Sequence, residues 1–179
     1  SMVGTIIGLI IGLLFISLKS IEINKKDNEF LAFIKKIGKT FAFQKIIDEL
    51  KVNIKRNFFD AKNGLFSISK NGEEYTELGN SAAILAGLTT PNESYIIAEK
   101  LSRNELLTCS LSTKCFKYDA LLKVDSKYQQ CIIKEIYDTY KLMLDNDATS
   151  VWEVIEGADA FDRAGSLCHG WSAIPILYL

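Results

Sequence analysis

The sequence is short of the residues that interrupt helices and of those that most often hold metals. Only two prolines, Pro91 and Pro175, occur in 179 residues, and such long stretches without a breaker favour helix over a loop-rich all-β chain. His169 is the single histidine, and the four cysteines, Cys109, Cys115, Cys131 and Cys168, include no CxxC pair. No metal-ligand spacing is recognisable, so no metal and no cofactor are expected. The thiols are scattered among apolar or helical residues and read as free cysteines of a reducing compartment, which predicts a cytoplasmic protein. Charge of either sign is also missing in excess, with 21 Lys and Arg against 22 Asp and Glu. That balance lacks the electrostatic footprint of a nucleic-acid binder, and no nucleic-acid partner is expected. What remains, 48% apolar and 24% charged residues, is the composition of a globular chain, and the length suits one domain.

The longest apolar run lies at the start. Residues 1–18 carry no charge, yet the run is short of the roughly 20 residues that span a bilayer and has no basic residues ahead of it. Gly4, Gly8 and Gly12 recur every fourth residue on one helical face, where another backbone can approach closely. The pattern suits either a membrane helix or a helix buried inside a helical bundle.

Amphipathic patterning begins at Asp27. Phe30, Phe33, Ile34 and Ile37 recur at helical spacing up to Gly38, and Phe43, Ile47, Leu50, Ile54 and Phe58 define a second helix with one core face. Asn63-Gly64 and Asn71-Gly72 bracket the alternating stretch Leu65 to Ser69, which predicts a short β excursion near residues 64–75. Further helices are expected over 77–88, 92–102, 113–124, 126–144 and 166–179. The fold class is therefore all-α, built from consecutive helical hairpins.

Polar and aromatic groups concentrate near the end, in Ala148-Thr149-Ser150-Val151-Trp152-Glu153 and in Gly165-Ser166-Leu167-Cys168-His169-Gly170-Trp171-Ser172. A carboxylate, an imidazole and two indoles make a mixture that binds sugars, because the C–H faces of a pyranose stack on indole while its hydroxyls take polar partners. The same Trp-Glu pair also suits plain packing, with a first-turn carboxylate favoured by a helix dipole. Glu156, Asp159 and Asp162 follow in the same loop and offer further carboxylates. Cys168 and His169 are adjacent, point about 100° apart on a helix, and do not form a thiol nucleophile with its base.

These two segments closely resemble the C-terminal part of the catalytic domain of bacterial α-L-rhamnosidases, glycoside hydrolase family seventy-eight. Asn63 to Phe66, Glu77 to Asn80 and Phe116 to Leu122 look similar as well. The resemblance implies an (α/α)6 barrel of six helical hairpins, of which this chain would be a partial one. Residues 1–23 would then be an inner barrel helix rather than a membrane anchor, and residues 24–179 hairpins with a sugar-site loop at 147–171. It further implies inverting hydrolysis of terminal α-L-rhamnosides, with Glu153 as the general base and Trp152, His169 and Trp171 lining the sugar pocket. Inversion requires two carboxyl groups roughly 6.5–9.5 Å apart. The family's general acid lies upstream, in an acidic motif that has no counterpart here, and Asp147 stands where the family usually has glycine.

Twelve helices of about 12 residues with loops of about 5 need roughly 200 residues, and this chain has seven or eight helical segments. The expectation is a rhamnosidase-like fragment, inactive alone, whose open barrel edge pairs with another chain. The alternatives are a non-catalytic helical module for carbohydrate binding or assembly, and a small membrane-anchored protein.

Overall fold

The structure, a computed structural model, describes residues 41–179, with side chains from residue 44 onward. The apolar helix expected within residues 1–23 and the helix expected over 27–38 lie outside the described residues. Among the described residues, no helix is long and apolar enough to cross a membrane.

The architecture is all-α with one minimal hairpin. Helix α1 spans Phe41–Phe58 and runs directly into strand β1, Phe59–Asp60, which pairs antiparallel with β2, Leu65–Phe66. Gly64 supplies the left-handed turn at φ +70°, and its N–H reaches the Asp60 carbonyl at 2.8 Å. The strand expected after Asn63-Gly64 is thus present, and its partner lies just upstream of that pair. The second Asn-Gly pair makes a tight turn of its own, with Asn71 at φ +60° and the Gly72 N–H on the Ser69 carbonyl.

Two helical hairpins follow. Helix α2, Glu77–Leu85, starts at Thr76, whose hydroxyl accepts from the Gly79 N–H. Helix α3, Pro91–Ser102, has Pro91 at its first position and a reciprocal capping box between Thr90 and Glu93, satisfying backbone donors that a helix start leaves open. Helix α4, Lys114–Val124, and helix α5, Gln129–Asp145, are each entered through one 3₁₀ turn, Leu111–Thr113 and Ser126–Tyr128. Helix α4 is central and touches α2, α3, α5 and the terminal segment. At the far end of α2, the Lys123 ammonium donates to the carbonyls of Ile84 and Leu85, a cation where the helix dipole favours one.

The core gathers Ile84, Ile97, Leu101, Tyr118, Leu121, Ile132 and Ile136. Only the second half of α1 reaches it, through Ile54 and Phe58, while Leu50 is exposed. The hairpin is fastened to the core by Asn80, fully buried on α2, whose amide accepts from the Phe66 N–H at 2.8 Å and donates to the Phe66 carbonyl at 3.0 Å. Both ends of that amide are satisfied, which is the condition for burying it at all.

The last element departs from the expected continuous helix over 166–179. A 3₁₀ helix begins only at Gly170 and runs to Tyr178. Ser166 to His169 are instead extended, because their backbone groups bond to the chain at 151–153 rather than to one another, and Pro175 withholds an N–H from the turn that follows. Tyr178 anchors this element by donating to the Cys115 carbonyl at 3.1 Å and to Asp119 at 2.9 Å, and its ring meets Tyr118 edge-on at 5.1 Å.

Candidate functional site

The loop after α5 opens with a defined stop. Asp147 sits at φ +55°, its N–H bonds to the Leu144 carbonyl and the Ala148 N–H to the Met143 carbonyl. This pair of bonds around a left-handed residue is the usual close of a helix, with the left-handed place normally filled by glycine. Aspartate tolerates that conformation better than most residues, so the loop begins as it would with the glycine that the resemblance leads one to expect there.

The two polar and aromatic segments are then brought together by the backbone. The Glu153 N–H donates to the Ser166 carbonyl at 2.9 Å and the His169 N–H to the Val151 carbonyl at 2.8 Å. Gly157 and Gly165 make the loop compact. A Cβ on Gly165 would fall 1.9 Å from the Gly157 oxygen, and one on Gly157, at φ +59°, would fall 3.0 Å from the benzo edge of the Trp152 indole. Half-buried Trp152 therefore spends part of its surface as the packing centre of its own loop.

Glu153 is half-buried and its carboxylate makes no hydrogen bond or ion pair among the described residues, and the His169 imidazole is equally uncommitted. Trp171 is 76% exposed at the start of the terminal 3₁₀ helix. The fold thus places Trp152, Glu153 and His169 on paired segments and leaves Trp171 on the surface beside them. Among the described residues, no group of three or more His, Cys, Asp or Glu side chains is placed to hold a metal.

A second polar centre lies just beyond, and it is not visible as a motif. Glu77 on α2, Lys114 and Lys117 on α4 and Glu135 on α5 form a closed ring of charges. Lys117 donates to Glu77 Oε1 at 2.6 Å and to Glu135 Oε2 at 2.8 Å, and Lys114 donates to Glu77 Oε2 and Glu135 Oε1, each at 2.7 Å. Lys117 is fully buried and Glu77 is 1% exposed. Lys117 also donates to Asn104, while Glu77 Oε2 accepts further from the Cys109 N–H at 3.1 Å and the Thr108 hydroxyl at 3.2 Å. Burial opposes ionisation of Glu77, but Lys117 and Lys114 outweigh it and hold the carboxyl below its ordinary value. Burial, with Glu77 beside it, pushes the Cys109 thiol up to about 11, so it stays protonated at neutral pH and is no nucleophile.

The only signal that the sequence holds for this ring is Lys114 and Lys117 three residues apart on one helical face. The ring floors a cavity of about 770 Å³ whose other wall is the loop from Val154 to Phe161. Glu153 and His169 do not line this cavity; the residues directly after Glu153 do.

No family model matches the chain, and no curated protein matches it. Among solved structures it is similar to a rhamnosidase from Klebsiella oxytoca with rhamnose bound, at 19% identity and a TM-score of 0.61, over 75% of this chain and 27% of that one. The likeness is one of fold, and this chain spans about a quarter of the length of that structure.

Proposed function

We propose that the chain is the C-terminal part of an inverting α-L-rhamnosidase catalytic domain of glycoside hydrolase family seventy-eight, carrying the general-base half of its sugar site. The observation that carries this reading is the backbone pairing of Val151 and Glu153 with His169 and Ser166, which sets an unpaired carboxylate between an indole and an imidazole. The rhamnosidase-like fold supports it.

In this reading Glu153 takes a proton from the attacking water, Trp152 and Trp171 offer apolar faces to the sugar, and His169 bonds its hydroxyls. A general acid on the opposite side of the sugar is required to protonate the leaving oxygen. Without that acid, about 10²–10⁴-fold of acid–base catalysis is forfeited. The full chain is therefore expected to bind methyl α-L-rhamnoside and to show no turnover of aryl or natural α-L-rhamnosides. Robust turnover that Glu153→Gln abolishes would overturn the claim of inactivity. Failure to bind the methyl rhamnoside would overturn the site itself.

The second reading, a non-catalytic helical module for carbohydrate binding or assembly, has one observation in its favour. An apolar groove of about 600 Å³ lies between α5 and the terminal 3₁₀ helix, and Leu144, Ile176 and Leu179 on it are 70%, 74% and 78% exposed. An apolar patch of this kind is a common feature of interfaces, and sedimentation as a monomer counts against assembly.

A further inference from the structure

The cavity beside the charge ring has features that packing alone does not require. It lies where the N-terminal ends of α2 and α4 meet the loop before Leu111 and the loop Val154 to Phe161. Its volume of about 770 Å³ is within the range of about 300–1,000 Å³ that small-molecule sites occupy.

The polar equipment of the cavity is incompletely used. The Lys114 ammonium gives two of its three N–H groups to Glu77 and Glu135. Each Glu135 oxygen accepts one lysine and keeps lone pairs to spare. Thr139 adds a hydroxyl that both donates and accepts, and Leu106, Leu111 and Ile155 add apolar wall.

The mouth is shaped by strain. Phe161, Asp162 and Arg163 sit at φ +52°, +56° and +70°, three consecutive left-handed residues without a glycine, each costing about 1–2 kcal/mol. Such outliers cluster at ligand sites, where the surroundings over-determine them. Here the strained turn holds the ring of Phe161 on the cavity wall while leaving it 61% exposed.

Charge narrows the ligand. The two lysines and two glutamates of the ring cancel, and Asp138 and Glu156 on the wall disfavour an anion. A cation would find both ring carboxylates already bonded to lysine. A neutral ring with hydroxyls that donate and accept, and with an apolar face for Phe161, meets every one of these groups.

We infer that this cavity is a second carbohydrate subsite, taking the neutral sugar ring that follows the rhamnosyl unit, with Phe161 as its stacking face and Lys114 and Glu135 as its hydrogen-bonding floor. The inference rests on the rhamnoside reading of Glu153 for the identity of the neighbouring ring. It follows from chain continuity, since Val154, Ile155 and Glu156 connect the two places.

The test is a chemical-shift titration of the full chain with three probes: methyl α-L-rhamnoside, methyl β-D-glucoside and the rhamnosyl glucose rutinose. Rutinose is expected to bind at least tenfold more tightly than methyl α-L-rhamnoside, Phe161→Ala to reduce that ratio to about one, and Phe161→Trp to restore it. A ratio near one in the unaltered chain, or a ratio that survives Phe161→Ala, overturns the subsite and leaves the Glu153 reading standing. Binding of the methyl glucoside alone, abolished by Phe161→Ala, upholds a sugar site here and overturns the rhamnoside reading. No binding of any probe overturns both.

Discussion

Lys117→Met is expected to destabilise the protein by about 3–5 kcal/mol, the cost of leaving a buried charge without its partner. The side chain is fully buried and its ammonium makes three bonds, to Glu77, Glu135 and Asn104. Methionine fills a similar volume, so the loss is electrostatic: two carboxylates then share one lysine in a region closed to water. Adding Glu77→Gln removes the surplus charge and keeps an oxygen for the Cys109 N–H and the Thr108 hydroxyl, so the double variant is expected to recover most of the loss. Urea titrations of the four members of that cycle measure the coupling. A single-variant cost below about 1 kcal/mol, the range of exposed pairs, would show that the ring is not formed.

The same ring sets a pH window. Glu77 is held below its ordinary 4.5 by Lys117 and Lys114 against the opposing effect of burial. Its contribution to stability is therefore full above the unfolded value and is lost as pH falls through the lowered folded one. Lys114 is the mirror case: burial opposes its charge, Glu135 and Glu77 outweigh burial, and its pKa lies above the ordinary 10.5. Its contribution is full below that value and is lost as pH rises through the raised one. Stability followed by urea is expected to hold between these limits and to fall on both sides.

Helices proved legible wherever local chemistry decides them. Pro91 after Thr90 and before Glu93 marks the start of α3, and the structure supplies the complete capping box. Gly64 and Asn71 take the positive φ that their Asn-Gly pairs call for. What stayed hidden depends on partners far away in the chain. Lys114 and Lys117 bond to Glu77 across 37 and 40 residues, and on paper they are two lysines of an unremarkable helix. The expected terminal helix fails for the same reason. Nothing local in Ser166 to His169 forbids a helix, and the Val151 carbonyl and Glu153 N–H, far back in the chain, take their backbone groups instead. The candidate site was therefore legible as a concentration of aromatic and titratable residues, while the pairing that joins its halves was not.

Gly165→Ala is expected to open the sugar-site loop while leaving the helical core folded. The added Cβ would sit 1.9 Å from the Gly157 oxygen and 3.1 Å from the Ala160 Cβ, and neither is the movable end of a flexible side chain. Gly157 cannot retreat cheaply, because the Trp152 indole lies behind it. The arm from Gly165 to His169 has to move instead, and with it go the bonds from Gly165 to Ala160, from Glu153 to Ser166 and from His169 to Val151. Overpacking of this kind costs about 1–3 kcal/mol. The cost falls on the loop because, of residues 147–171, only Gly157 is buried, so opening sacrifices little core. Amide exchange at Glu153 and His169 is expected to quicken by about ten- to hundredfold, trypsin to cut faster after Arg163, and affinity for methyl α-L-rhamnoside to fall. Gly170→Ala is the matched control, since a Cβ there meets nothing within 4 Å. If Gly165→Ala leaves both amides protected, the two segments are not held by this pairing, and the unpaired carboxylate of Glu153 loses the geometry that makes it a base.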